Sequence, residues 1–291
     1  MSLVEQAMTR LRRPGEPTAE GAATQPAAAP LTDRATEPAR AAKQIIVDIN
    51  LLRARGYLPE EDKDRQFADE YRKIKRPLIR KALGAAGGVA ADPRLIMVTS
   101  ALPGDGKTFT SVNLAFSLAR ERDISVVLVD ADLPKPHVSR IFGLQQERGL
   151  TDALTDESLS IESLVIQSNV RGFSILPAGA SEEGSSELLS SNRMRQVVKS
   201  LCANSPRRIV LLDSPPLLIT TEGPALISVA GQVVLVVRAG LTPRRAVLDA
   251  IGMIDEGRAG GIVLNEAQMG VMHGYYGYGY GSYGDAASPK P

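Results

Sequence analysis

The sequence holds one cysteine, Cys202, in 291 residues. That excludes a disulfide framework and any multi-cysteine metal site, and it suits a reducing cytosol. A lone thiol reads as a small core residue rather than a nucleophile. No run of about eighteen uncharged apolar residues occurs anywhere, and no apolar stretch of signal-peptide type stands at the N-terminus. The expectation is a chain that does not cross a membrane by itself. A formal net charge of +1 offers no net-charge argument for nucleic acid, although a basic patch could exist locally. Aromatics amount to only 4% of the residues. Yet Tyr275, Tyr276, Tyr278, Tyr280 and Tyr283 fall within nine positions, an imbalance that asks for an explanation.

With 43% apolar and 23% charged residues the chain can bury a core. Its length accommodates one α/β domain with extensions, or two small domains. Residues 1–43 contain eleven alanines, five prolines, mixed charge and no aromatic, a composition that cannot offset its ordering entropy and predicts disorder. Residues 44–90 form a helical lead-in. One helical pattern covers Ile45 to Leu52, Gly56 to Pro59 interrupts it, and a second helix runs from about Asp62 into Arg76, where Pro77 is expected to end or kink it. Six basic residues lie between Arg72 and Lys81; they form a solvated helix face or a contact surface for an acidic partner or a neighbouring subunit.

Residues 91–268 have a different texture. Leu95–Val98, Ser125–Val129, Phe173–Leu176, Arg208–Leu212, Val233–Val237 and Ile262–Leu264 are short, rich in β-branched residues and almost free of polar alternation. That is the pattern of parallel strands covered on both faces. Helical stretches between them, including 110–120, 186–203 and 243–256, predict right-handed crossovers and a doubly wound, mostly parallel α/β sheet. Ligands of such sheets bind beyond the carboxyl ends of the strands. Residues 269–291 are low in complexity, with glycine at nearly alternate positions among the five tyrosines, and read as a mobile tail.

Three strand ends carry the chemistry. After the first strand comes Ala101-Leu102-Pro103-Gly104-Asp105-Gly106-Lys107-Thr108-Phe109, opening a helix. A glycine-containing turn at a helix N-terminus aims several backbone N–H donors at phosphate oxygens, Lys107 can reach the β- and γ-phosphates, and the Thr108 hydroxyl can ligate magnesium. The strict phosphate-loop pattern has glycine where Ala101 stands. The strand from Ile124 ends in Val129-Asp130-Ala131-Asp132, two carboxylates whose repulsion a metal ion or a proton in transit would relieve; capping of the following turn is the plainer alternative. Asp213 ends the strand Ile209–Leu212 and precedes Ser214-Pro215-Pro216, which beside a phosphate loop reads as a magnesium-binding carboxylate.

The order of these motifs, followed by a tyrosine-rich terminus, resembles the bacterial tyrosine kinases of polysaccharide synthesis and export. The lead-in Tyr71-Arg72-Lys73-Ile74-Lys75-Arg76-Pro77-Leu78 looks most like the autokinases of exosortase-linked exopolysaccharide loci. The likeness covers residues 44–284 and implies a P-loop fold shared with partition and division-site ATPases. Those ATPases are the rival reading, but they carry a Lys-Gly where Leu102-Pro103 stands and have no tyrosine tail. A second rival is a non-catalytic ATP switch that docks on a membrane chain-length protein. The A′ motif of the family continues Asp-x-Asp-x-Arg, whereas this chain has Pro134 and then Lys135. The family's oligomerisation motif appears as Glu70, Lys73 and Arg76, with lysine giving a point contact where arginine would give a forked one. Asn265, after the last strand, is a candidate adenine contact.

The resemblance implies ATP and Mg2+ as cofactors, with 103–109 binding ATP and Thr108, Asp132 and Asp213 holding the metal. Lys107, Asp130 and Asp132 are the catalytic candidates. Asp130 is assigned to accept or orient the tyrosine proton and Asp132 to the metal, with the reverse assignment as the alternative. Tyr275, Tyr276, Tyr278, Tyr280 and Tyr283 would be phosphorylated in trans within a ring-like homo-oligomer. Implied partners are a membrane chain-length or co-polymerase activator and a tyrosine phosphatase, with no nucleic acid. The implied location is cytoplasmic, peripheral at the inner face of the membrane.

Overall fold

The computed structural model describes residues 43–84, 91–180 and 184–267. The N-terminal segment and the tyrosine tail of the sequence reading therefore lie outside the described residues. Eight strands form one sheet in the order β1-β4-β5-β3-β6-β2-β7-β8. They are β1 (Gln44–Ile45), β2 (Leu95–Ser100), β3 (Ser125–Asp130), β4 (Ile166–Ser168), β5 (Phe173–Leu176), β6 (Arg208–Asp213), β7 (Gln232–Arg238) and β8 (Ala259–Asn265). All pairs are parallel except β4 with β5. The doubly wound, mostly parallel α/β class read from the sequence is the one observed.

Helices cover both faces. On one side lie α1 (Ile49–Ala54), α2 (Asp64–Leu83), α3 (Lys107–Ala119) and α4 (His137–Ile141); on the other lie α5 (Leu150–Thr155), α6 (Ser185–Ser190), α7 (Asn192–Ala203), α8 (Glu222–Ile227) and α9 (Arg244–Ile251). Successive strand side chains point to opposite faces, so each apolar run feeds two cores. Ile96, Val98, Val126, Leu128, Ile209 and Leu211 pack under the first layer, while Leu95, Met97, Val127, Val129, Val210 and Leu212 pack under the second. This double coverage explains why the runs show no polar alternation.

Several local expectations are corrected. Gln44 and Ile45 form a strand beside β4 rather than the start of a helix; Val47 N–H then donates to Asn169 Oδ1 at 2.8 Å, anchoring the segment to the turn after β4. α2 continues past Pro77 to Leu83, so the proline does not end it. The ring removes one helical hydrogen bond, but tertiary contacts beside it hold the helix. Leu78 is fully buried, its carbonyl accepts from Gln232 Nε2 at 3.1 Å, and the Lys75 ammonium reaches the Ser117 carbonyl at 2.7 Å and Glu121 at 2.8 Å. The single helix read over 186–203 is two, broken at Ser191, whose hydroxyl caps α7 by accepting from Met194 N–H. Finally, the last apolar run is not covered on both faces. β8 is the rim of the sheet, and Ile262 and Leu264 are each 58% exposed.

Candidate active site

β3, β6 and β2 are consecutive neighbours, so the three motifs at their carboxyl ends converge. Asp130 and Asp213 are register partners across the β3–β6 ladder. The loop after β2 bends through left-handed positions at Gly104 (φ 85°) and Gly106 (φ 92°), which glycine adopts without strain. Gly106 is also a close approach: a Cβ there would lie 2.0 Å from Asn265 Nδ2. Ala101, standing where the strict motif has glycine, is fully buried in the core, so its methyl group is absorbed by packing.

The Asp105 side chain is bonded within the loop and to its neighbours. Its carboxylate accepts Leu102 N–H at 3.2 Å and the Thr242 hydroxyl at 2.7 Å, and its carbonyl accepts Asn265 Nδ2 at 3.1 Å. It staples the loop, and Asn265 and Thr242 support it from beyond β7 and β8. Asn265, read as an adenine contact, has its amide N–H engaged with the loop itself. Pro103 and Gly104 lie on the exposed crown of the turn. The Phe109 ring packs edge-on against Phe67 with centroids 6.2 Å apart, leaving its backbone as its contribution to the loop.

Lys107, the first residue of α3, folds back to Asp132: Nζ lies 2.9 Å from Oδ2, with the lysine side chain 12% exposed. Burial pulls its ammonium towards neutrality, but Asp213, Asp132 and Asp130 outweigh that and hold its pKa above the ordinary lysine value. Asp213 is fully buried; Oδ2 accepts the Thr108 hydroxyl at 2.8 Å and Oδ1 the Ser111 hydroxyl at 2.8 Å. Burial raises its pKa against the opposing influence of Lys107 and the two hydroxyls. Asp130 is equally buried. Its Oδ2 accepts both the backbone N–H and the hydroxyl of Ser139 at 2.7 Å, while Oδ1 has no partner among the described residues. Burial, and then the charge of Asp213, push its pKa up to about 7.

The cluster is a lysine among three carboxylates, all largely buried, beside a loop rich in N–H donors. The donor set fits a nucleotide triphosphate with a divalent ion. Thr108 spends only its proton on Asp213 and keeps its lone pairs for a cation. Asp130 Oδ1 is an acceptor in search of a proton or a charge. Among the described residues no group of three or more His, Cys, Asp or Glu is arranged to hold a metal alone, and magnesium beside a nucleotide ordinarily takes one or two protein ligands and fills its sphere with phosphates and water.

Residues 93–250 match the AAA domain family AAA_31. The chain is 35% identical over 189 residues to the tyrosine-protein kinase YwqD of Bacillus subtilis, covering 64% of this chain and 77% of that protein. The chain belongs to the bacterial tyrosine-protein kinase family. A second member, the tyrosine-protein kinase ptk of Acinetobacter johnsonii, is 29% identical over 76% of this chain, which spans 29% of that longer protein. Among solved structures, the VpsO kinase domain superposes with a TM-score of 0.58 at 27% identity, covering 72% of this chain and all of that one.

Within this kinase fold the structure brings Lys107, Thr108, Asp130, Asp132 and Asp213 together. The five tail tyrosines lie outside the described residues. Glu70, Lys73 and Arg76 line one side of α2 at three-residue spacing; Lys73 and Arg76 are exposed, and Glu70 accepts from Gln66 Nε2 at 2.9 Å. Sequence reasoning missed Ser111, Ser139 and Thr242. Ser111 stands one helical turn beyond Lys107 and was within reach of a periodicity argument. Nothing local marks Ser139, nine residues past Asp130, or Thr242, which meets Asp105 from 137 residues away. Cys202 is buried and its thiol is pushed up to about 12 by that burial, which suits a core residue.

Proposed function

We propose that the chain is an ATP-dependent protein-tyrosine autokinase of the exosortase-associated kind, transferring the γ-phosphoryl group to Tyr275, Tyr276, Tyr278, Tyr280 and Tyr283 of a neighbouring copy and so regulating exopolysaccharide polymerisation or export. The observation that carries the reading is the buried Asp130 with its unpartnered oxygen, beside a lysine that three carboxylates keep charged. A switch that only binds nucleotide has no need of a proton acceptor there.

Phosphoryl transfer asks the protein mainly for positioning and charge neutralisation. Backbone amides of 104–108 cradle the phosphates, and the Lys107 ammonium is released from Asp132 towards the transferring group. Thr108, Asp132 and Asp213 are the residues that would hold magnesium, which would supply charge neutralisation on the phosphates; Asp213 orients the Thr108 hydroxyl. Asp130 Oδ1 accepts the tyrosine proton; a carboxyl poised near neutrality is better matched to that task than an ordinary aspartate. Glycines between the tyrosines let several hydroxyls enter a neighbour's site in turn. Each phosphate adds about −1.5 to −2 of charge, so fully modified tails repel one another and loosen the ring that Glu70, Lys73 and Arg76 assemble. A membrane chain-length protein is the activator in this reading, and a tyrosine phosphatase resets the tail. Among the described residues no helix is long and apolar enough to cross a membrane.

The test is incubation with ATP-magnesium followed by a phosphotyrosine blot. The parent is expected to label strongly, Lys107→Met to lose at least a hundredfold while keeping its circular dichroism spectrum, and the five-tyrosine-to-Phe variant to lose most label yet bind ATP as before. Label on Tyr57 or Tyr71 instead would refute the tail as acceptor.

A further inference from the structure

The segment 49–71 and the second half of α3 enclose a cavity of about 470 Å³, within the roughly 300–1,000 Å³ of ordinary ligand pockets. Its wall residue Phe67 packs on Phe109 at the start of α3. Three aromatic rings, Phe67, Tyr71 and Phe116, form its walls, with Leu58 beside them. Phe67 and Tyr71 stack at 6.3 Å, and Phe116 is braced by Phe173 at 4.8 Å, so the walls are fixed. Two arginines also line the cavity, Arg120 after α3 and Arg171 in the turn between β4 and β5. Both are exposed, and neither has a hydrogen-bond or ion-pair partner among the described residues.

The nearby carboxylates are already taken. Asp64 pairs with Arg53, Glu121 with Lys75 at 2.8 Å, and Asp123, which lies beside both arginines, with Arg207 at 3.9 Å. Two uncompensated guanidinium groups therefore stand over an aromatic slot. Arginine forks match phosphate oxygens, and arginine clusters are the usual readers of phosphorylated side chains. The slot suits an aromatic ring, and the arginines suit a dianion attached to it.

We propose that this cavity binds phosphotyrosine from the chain's own tail, as a site separate from the one that makes it. The inference rests on the proposed phosphorylation of 275–283. Tyr278 lies eleven residues beyond the described end, so its tether reaches roughly 36–40 Å when fully extended. Tyr276, Tyr278 and Tyr280 each adjoin a glycine on at least one side, so no bulky neighbour obstructs entry of the ring. Each added phosphate brings about two negative charges to a segment that otherwise carries few. Docking would withdraw a finished tyrosine from the catalytic crevice and leave it free for the next.

The measurement is fluorescence anisotropy of synthetic peptides of sequence 272–284, unmodified or phosphorylated at position 278, with the full chain stripped of phosphate and kept without ATP. The phosphopeptide is expected to bind at least tenfold more tightly than its unmodified twin. Combined Arg120→Glu and Arg171→Glu is expected to erase that preference, Arg244→Glu on the opposite layer to leave it, and saturating ATP-magnesium not to displace the peptide. Equal binding of the two peptides, indifference to the double reversal, displacement by ATP, or displacement by inorganic phosphate at the phosphopeptide's own concentration would each overturn the proposal. A chain that binds the phosphopeptide but never labels itself refutes the transfer reading alone. A chain that labels its tail without preferring the phosphopeptide refutes this docking alone.

Discussion

β6 in the middle of the sheet and β8 on its rim are both short apolar runs, yet they live in opposite environments. Every residue of β6 is buried, down to Arg208 at its start and Asp213 at its end, whereas β8 turns Ile262 and Leu264 outward and, among the described residues, pairs along one edge alone. Neighbours explain the difference: β6 has β3 and β2 on its flanks and helices above and below, while β8 has only β7 and packs mainly through Val263 against the α2 side. An apolar run thus announces a strand, and its position in the sheet sets what each residue is worth. The same burial that makes β6 a rigid core strand also makes the aspartate at its end chemically unusual.

The contrast can be tested in order of size. Leu211→Ala on β6 removes a fully buried side chain from a close-packed layer and is expected to cost about 2–5 kcal/mol in urea denaturation; a loss below about 1 kcal/mol would mean that the centre of the sheet is no tighter than its rim. Next is the electrostatic cost of the crevice. Because burial lifts Asp130 to about 7 in the folded chain, against roughly 3.9 when unfolded, its stabilising contribution is complete below about pH 4 and is lost as pH rises through 7. Asp130→Asn removes that loss. In ligand-free protein the variant is expected to melt higher than the parent at pH 8, by no more than about 4 kcal/mol, with the gap closing as pH falls towards 4. An unchanged gap across that range would show that Asp130 is not perturbed. Smallest of all, Ile262→Ser on β8 is expected to shift stability by about 0.5 kcal/mol or less, and a loss like that at Leu211 would mean that the rim is covered in solution.

Much of the site could be read in advance because its signals are local. A loop that cradles phosphates needs its glycines, lysine and threonine close together in sequence, and Asp130 and Asp213 could be picked out because each ends an unbroken apolar run, with Asp132 two residues after Asp130. What could not be read came from elsewhere in the chain. Asp105 looks like a loop residue open to a ligand until Thr242 and Asn265 are seen to hold it. Asp130 looks like either member of an acidic pair until Ser139 takes one of its oxygens and leaves the other bare. Pro77 looks like a helix stop until Gln232 and the buried Leu78 secure the turn around it.

The amino-acid order alone therefore determined the α/β class, the strand ends that form the candidate site and the residue types gathered there, since periodicity and phosphate-loop chemistry operate over a few consecutive positions. Only the tertiary structure decided which strand lies at the rim, which carboxylate keeps an unpaired oxygen, and where two arginines meet an aromatic cavity. Those outcomes depend on burial and on contacts between residues tens to hundreds of positions apart, and no stretch of the chain carries that information by itself.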